Sequence, residues 1–325
     1  MPRLARAAGV TDAAGRTVAI PAKVERVFAA GPPASILLYT LAPDLLLGWT
    51  RSHEPAQCAL LGAGACDKPE VGRLTGRGNT TNLEVLLKLK PDLILDVGTI
   101  NDTYISLANR VQEQTGIPYA LLDGRFETIV PTYRLLGELI HRESDATAFA
   151  RYAEETMATI KGRIDKIPEA ERPRVYYGRG PRGLETGLGG SINVETIEFL
   201  GARNVAGERK GGIAMVSVEQ VLAWNPDVII TIEPAFAASV RGDPLWAPVK
   251  AVASGRVYLS PHLPFGWVDF PPSVNRLIGL WWLAKALYPA QFPEDLRPLT
   301  RDFYQRFYHM TPSEAQIGAV LAGQG

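Results

Sequence analysis

Asn82-Leu-Glu-Val-Leu-Leu-Lys-Leu-Lys-Pro-Asp-Leu-Ile-Leu95 and Ser217-Val-Glu-Gln-Val-Leu-Ala-Trp-Asn-Pro-Asp-Val-Ile-Ile230 align without a gap at an offset of 135 residues. Each opens on a residue whose side-chain oxygen can cap a helix. Each then places Glu at the second helical position, where the positive end of the helix dipole favours an acid. Both close on Pro-Asp followed by an apolar run. The pattern is a short capped helix, a stop and a buried strand, written twice. Similarity at so long an offset means two copies of a domain-sized unit, not a solenoid of short repeats.

Working outward from the first copy, Arg26 to Ala30, Leu45 to Trp49, Asp92 to Val97 and Tyr119 to Asp123 read as short buried strands. Between them Ala34 to Leu41, Leu83 to Leu89, Thr103 to Gln114 and Glu127 to Ile140 carry helical spacing. Around the second copy, Arg174 to Tyr177, Val228 to Glu233 and Arg256 to Ser260 read as strands, and Ile192 to Leu200, Val218 to Trp224 and Ser273 to Leu287 as helices. Strands alternating with helices predict mostly parallel sheets covered by helices. Between the two halves, Ser144 to Lys166 has no strand pattern. Its Phe149, Tyr152, Ala153, Met157, Ile160 and Ile164 recur at three or four positions, one face of a helix about 33 Å long. The expected fold is therefore two α/β lobes joined by one long α-helix: residues 1–143, a linking helix at 144–167, and residues 168–325.

The chain has 325 residues, too many for one typical core and suited to two domains. Lys plus Arg and Asp plus Glu both number 34, so the net charge is zero. That balance argues against a general binder of nucleic acid or membrane surface, which needs a basic face. No apolar run is long enough to span a bilayer, and no apolar signal-peptide core stands at the N-terminus. An exported protein lacking its leader would read the same way. Cys58 and Cys66 flank a glycine-rich stretch. The favoured reading is a disulfide, which needs an oxidising compartment. Free thiols, or a metal site with His53, are the alternatives, and two thiols with one His make no recognisable zinc spacing.

In open parallel sheets, ligands bind beyond the carboxyl ends of the strands. Two facing lobes would hold a ligand in the cleft between those ends. The loops there carry Arg51, Arg73, Arg77, Arg125, Arg179 and Arg182, together with Tyr104, His262, Phe265 and Trp267. In a chain of zero net charge this concentration points to an anionic ligand, because guanidinium pairs with carboxylate or oxyanion oxygens at two points. Aromatic rings beside the arginines suit a planar or partly apolar ligand. The plain alternative is that each Arg is solvated or paired with a neighbouring acid, that Tyr104 is a surface tyrosine, and that His262 is a hydrogen-bonded loop residue. No nucleophile elbow, zinc-protease motif or phosphate-binding Walker loop is present, so no catalytic residue is assigned. Gly187-Leu-Gly-Gly-Ser191 could cradle an anion, but a tight turn packing helix on strand explains its glycines equally well.

These features together resemble the periplasmic binding proteins for iron–siderophore complexes, haem and cobalamin. The resemblance runs from about Val10 to Tyr288 and rests on Val10-Thr-Asp-Ala-Ala-Gly-Arg-Thr-Val18, Asn82 to Leu95, the long helix, Val216 to Ile230 and Ser273 to Tyr288. It implies two Rossmann-like lobes joined by a rigid helix that limits closure, no cofactor or resident metal, and no enzymatic activity. It also implies a monomer outside the cytoplasm, periplasmic or membrane-anchored, that delivers its ligand to an ABC permease. Glu84 and Glu219 match the acidic residues that dock such proteins onto permease arginines. The ligand contacts expected from the strand-end loops are Arg51, Arg77, Tyr104, Arg179, Arg182, His262 and Trp267, and the resemblance adds that haem binders use Tyr or His at loops like those holding Tyr104 and His262. A ferric or other metal chelate, haem included, is the first expectation. A molybdate or tungstate oxyanion is second, and cobalamin third because its corrin would not need so many arginines. The rival class is an enzyme of the same two-lobe architecture, which would need a nucleotide fingerprint or clustered cysteines.

Overall fold

The computed structural model describes residues 8–76 and 78–322. The chain divides into two compact units, Met1–Glu154 with Arg306–Met310 and Glu155–Gln305 with Thr311–Gly325. The first opens with a hairpin, β1 (Ala8–Thr11) and β2 (Thr17–Ile20). Asp12 closes its turn: the carboxylate accepts from the backbone N–H groups of Ala14 and Arg16 and pairs with the Arg16 guanidinium at 2.8 Å. Then follow β3 (Val27–Ala29), α1 (Pro32–Leu41), α2 (Pro55–Cys58), α3 (Leu83–Leu89), β4 (Leu93–Gly98), α4 (Asp102–Thr115), β5 (Tyr119–Asp123) and α5 (Ile129–Ile140).

β3, β4 and β5 form a parallel sheet in that order, with Val27 opposite Leu93 and Asp96 opposite Leu121. The strands are covered on both faces, which is why they read as nearly unbroken apolar runs. Leu45 to Trp49, expected as a strand, does not form one. Leu46 bridges to Val27, but Trp49 bridges instead to Glu70. Gly48 permits the departure, because a Cβ there would run into the Pro69 carbonyl.

α6 (Glu143–Ile164) is 22 residues long, and the boundary between the two units falls inside it. Its buried Ala146, Ala150, Ala153, Ile160 and Ile164 keep the three-to-four spacing of one helical face. Gly137 on α5 brings the two helices close, since a Cβ there would stand 2.5 Å from the Ala146 Cβ.

The second unit contains β6 (Arg174–Gly178), β7 (Glu185–Gly187), α7 (Glu195–Phe199), β8 (Arg203–Asn204), β9 (Ile213–Met215), α8 (Val218–Trp224), β10 (Val228–Thr231), α9 (Pro234–Ser239), α10 (Lys250–Ala253), β11 (Val257–Leu259) and α11 (Arg276–Leu287). α12 (Leu296–Phe307) and α13 (Glu314–Leu321) follow. The main sheet is parallel, in the order β11-β10-β6-β8, and β7 pairs antiparallel with β9.

The internal repeat survives in atomic detail. Asn82 Oδ1 accepts from the Val85 N–H at 3.1 Å, and Ser217 Oγ from the Gln220 N–H at 3.2 Å. Leu86 and Val221 are the buried side chains of α3 and α8. The helices end on left-handed Lys90 (φ 48°) and Asn225 (φ 43°). The Asp of each Pro-Asp stop then ties its strand to the neighbouring chain: Asp92 Oδ2 accepts from the Arg26 N–H and Asp227 Oδ2 from the Arg174 N–H, both at 2.9 Å.

Candidate functional site

In the first unit, the strands run out into Gly31, Thr99 and Gly124. Beneath these loops Asp96 is buried on β4. Its Oδ1 accepts from the Thr75 hydroxyl at 2.9 Å and its Oδ2 from the Tyr119 hydroxyl at 3.1 Å. Burial pushes the Asp96 carboxyl up, against the two hydroxyl hydrogen bonds that favour its charged form. A carboxyl whose folded pKa is raised is stabilising while protonated, and that contribution fades as pH rises from about 4 through the raised value. Asp96→Asn should therefore melt progressively higher relative to the parent as the pH is raised from acid to neutral. Parallel melting curves against pH would refute this.

The arginines above this unit are not equivalent. Arg125 is held by Asp123 at 2.6 Å, and Arg73 Nε donates to the Gly78 carbonyl at 2.7 Å. Arg51 is exposed beside His53. Burial first, and then the Arg51 charge, push the His53 imidazole below its usual value. Tyr104 is half-buried in the first turn of α4 and packs against the apolar core of its own unit. Its backbone N–H donates to the Asn101 cap at 3.2 Å. Arg77 lies outside the described residues.

In the second unit, β6 ends directly at Arg179, whose backbone is locked by reciprocal hydrogen bonds with Glu185. The guanidinium is 9% exposed as a residue and lies against Asp269. Arg179 Nε is 3.3 Å from Asp269 Oδ2, close enough for an ion pair but not directed as a hydrogen bond. Asp269 is fully buried and spends its oxygens elsewhere, on the Tyr177 hydroxyl (3.0 Å), the Asn193 amide (2.8 Å) and the Phe270 N–H (2.7 Å). Arg179 is thus charge-compensated yet keeps hydrogen-bonding capacity at a strand end. Arg182 and His262 are exposed. Glu233, after β10, accepts from the Gly180 N–H at 3.1 Å and so fixes the loop that carries both arginines.

Two residues of this region depart from the sequence reading. Trp267 was expected on an open loop, but its ring is fully buried; its backbone N–H donates to the Pro261 carbonyl, and α11 packs on it through Gly279, where a Cβ would strike the Trp267 carbonyl. Phe265 is buried as well. The aromatic side chain that projects instead is Phe270, whose backbone is left-handed (φ 66°). Neither Phe270 nor Asp269 stood out in the sequence. The Asp-Phe-Pro-Pro run was the available signal, because consecutive prolines forbid regular structure there. In Gly187 to Ser191, a Cβ at Gly187 would come 2.5 Å from Val194, and one at Gly189 would strike the Gly207 carbonyl, so close packing accounts for these glycines.

Cys58 and Cys66 are joined by a disulfide, with their Cα atoms 5.8 Å apart. Glu84 and Glu219 are both exposed in the first turns of α3 and α8. The Glu219 backbone N–H and the Ser217 hydroxyl hold the Glu219 carboxyl below its usual range. Among the described residues no group of three or more His, Cys, Asp or Glu side chains is arranged to hold a metal ion, and no helix is long and apolar enough to cross a membrane.

Residues 59–262 match the family described as periplasmic binding protein. Over 266 residues the chain is 28% identical to the molybdate-binding protein MolA of Haemophilus influenzae, covering 74% of each. It is 26% identical over 266 residues to the vitamin B12-binding protein of Vibrio parahaemolyticus, covering 78% of this chain and 87% of that one. The solved structure of an ABC transporter solute-binding protein from Sulfurospirillum deleyianum superposes with a TM-score of 0.88 at 28% identity, over 97% of this chain and 99% of the other.

Proposed function

We propose, from the premise that the chain belongs to the periplasmic binding protein family, that it is the substrate-binding component of an ABC importer and carries a small anionic ligand to the permease. The single observation that carries the transport reading is the twinned helix start. The two units each keep an exposed Glu at the second residue of a seven-residue helix, at the same offset as the rest of the repeat. Preference for an acid at a helix N-terminus explains one such residue. It does not require the same position in both units, and docking onto basic permease side chains does. The protein acts outside the cytoplasmic membrane, periplasmic or anchored to it, where its disulfide is stable.

For the ligand, a tetrahedral oxyanion of the molybdate or tungstate type comes first. Arg179 offers a desolvated guanidinium with donors to spare, and a compact oxyanion takes up such donors from several sides. The likeness to a molybdate-binding protein supports the same class. A metal chelate is the second reading. Exposed Phe270 and exposed His262, both in the segment between β11 and α11, would suit its planar or apolar parts, and the vitamin B12-binding relative is a chelate binder. The proposed contacts are Arg51, Arg179, Arg182, His262 and Phe270, with Arg77 and Tyr104 carried over from the reading of the strand-end loops.

Isothermal titration with molybdate, tungstate, sulfate, ferric siderophore, haem and cobalamin separates the readings. Saturable binding of molybdate or tungstate, weakened at least about tenfold by Arg179→Gln, is expected, about 1.4 kcal/mol for a charge-assisted contact. Binding of a chelate alone would move the second reading to first place, and no binding to any of the six would remove both. In reconstituted transport, Glu84→Gln with Glu219→Gln should abolish uptake and leave ligand affinity unchanged. Loss of affinity with uptake per bound ligand intact would overturn the docking role.

A further inference from the structure

Four large apolar side chains stand exposed among the described residues: Leu87 (50%), Met215 (62%), Leu245 (65%) and Phe270 (57%). Two of the four lie within four residues of the twin acids along the chain. Leu87 lies three residues after Glu84 on α3, and side chains at that spacing are neighbours on one helix face. Met215 ends β9, two residues before the Ser217 cap and four before Glu219. The repeat itself does not force Leu87 outward. At the matching position of α8, Leu222 packs against the apolar core of its own unit. The second unit instead exposes Met215, at a position where the first has Thr80. The two units thus reach the same pairing, one acid with one exposed apolar side chain, through different residues.

We infer that each permease contact is bipartite: Glu84 with Leu87 on one unit, Glu219 with Met215 on the other, each received by a basic side chain beside an apolar recess on the permease. The inference rests on the docking reading above. The division of labour follows from the physics of each half. An exposed carboxylate steers encounter and makes binding salt-dependent. A large apolar side chain, exposed when free and covered when docked, slows dissociation and is insensitive to salt. Met adds a flexible thioether that tolerates an imperfect recess.

The test measures affinity of the full-length, ligand-loaded protein for its permease–ATPase complex in lipid nanodiscs, across a salt series. Leu87→Ser with Met215→Ser should weaken docking about tenfold through the dissociation rate, with the salt slope unchanged. Leu87→Gln with Met215→Gln should do the same and controls for folding, since Gln is a better helix former than Ser in α3. Glu84→Gln with Glu219→Gln should instead slow association and flatten the salt slope. If both apolar pairs dock like the parent while the Glu pair does not, the bipartite contact is overturned and acid docking stands. If the Glu pair also docks like the parent, the docking reading itself falls. Loss of ligand affinity in the apolar variants would assign these side chains to ligand capture and overturn the inference.

Discussion

Asp269→Ala should be the most damaging single substitution in the second unit, lowering its melting temperature by roughly 6–20 °C. The reasoning begins with what the carboxylate holds. It is fully buried, accepts from the Tyr177 hydroxyl, the Asn193 amide and the Phe270 N–H, and lies 3.3 Å from Arg179 Nε. Truncation leaves one buried and two partly buried donors without this acceptor, and one largely buried guanidinium without a counter-charge. Removing one member of a buried ion pair costs about 3–5 kcal/mol, because the remaining charge stays desolvated. The Tyr177 hydroxyl shows the same coupling, since burial first and the Asp269 charge second push its pKa well up. Asp269→Asn separates charge from shape. It keeps one acceptor oxygen and the volume but not the charge, and should fall between parent and Ala. Calorimetry on the three proteins is the measurement. A melting temperature for Asp269→Ala within about 2 °C of the parent would show that water takes over the carboxylate's hydrogen bonds and that Arg179 turns to solvent.

Asp269 also marks the limit of what the sequence discloses. The repeat was legible because each copy carries local signals that need no tertiary knowledge: a capping side chain, an acid in the first turn and a Pro-Asp stop. The strands were legible because parallel strands covered on both faces are apolar throughout, and the long helix because its buried face keeps one period across 22 residues. Leu45 to Trp49 misled for the same reason. It is apolar because it is buried, but Gly48 lets it leave β3 before a ladder forms. β7 and β9 were missed because three-residue strands give too few alternations to register a period of two.

The site was less legible than the fold, because a side chain's partners are set by tertiary packing. The composition of the strand-end loops counted Arg125 and Arg179 alike. Only the structure separates an arginine held on the surface by Asp123 at 2.6 Å from one sunk against Asp269 with donors left over. Trp267 and Phe270 differ on the same ground: the first was expected on a strand-end loop and is buried, and the second was not singled out and is exposed. The sequence places both on one loop, and the packing of Gly279 against the Trp267 carbonyl decides which ring goes inside. The sign of the ligand's charge could be argued from composition. Which cations meet it depends on which of them the fold has already neutralised.

Cutting the Cys58–Cys66 disulfide should lower the melting temperature of the first unit by about 5–10 °C, from a loss of roughly 2.5 kcal/mol. The bond closes a short loop, eight residues in sequence separation, and the entropy it removes from the unfolded chain sets that magnitude. The loop is also anchored from within. Ala65 is buried, and its carbonyl accepts from the Trp49 indole N–H at 2.7 Å, while the Gly62 N–H donates to the Tyr39 hydroxyl at 2.8 Å. Residues Gly62 to Ala65 wall a cavity of about 430 Å³ with Tyr39, Asp44, Lys68 and His309. With the bond cut, the loop is left to its hydrogen bonds and the burial of Ala65, so hydrogen exchange should rise at Gly62 to Asp67 first and spread to Trp49. Cys58→Ser with Cys66→Ser should reproduce the effect of a reductant, with mass spectrometry after alkylation confirming that the bond was open. The strand-end face of the second unit should be untouched, so ligand contacts made by Arg179 should persist in the reduced protein. An unchanged melting temperature with both thiols alkylated would mean that the loop is held by its packing, and that the cysteines add nothing the indole and phenol hydrogen bonds do not already supply.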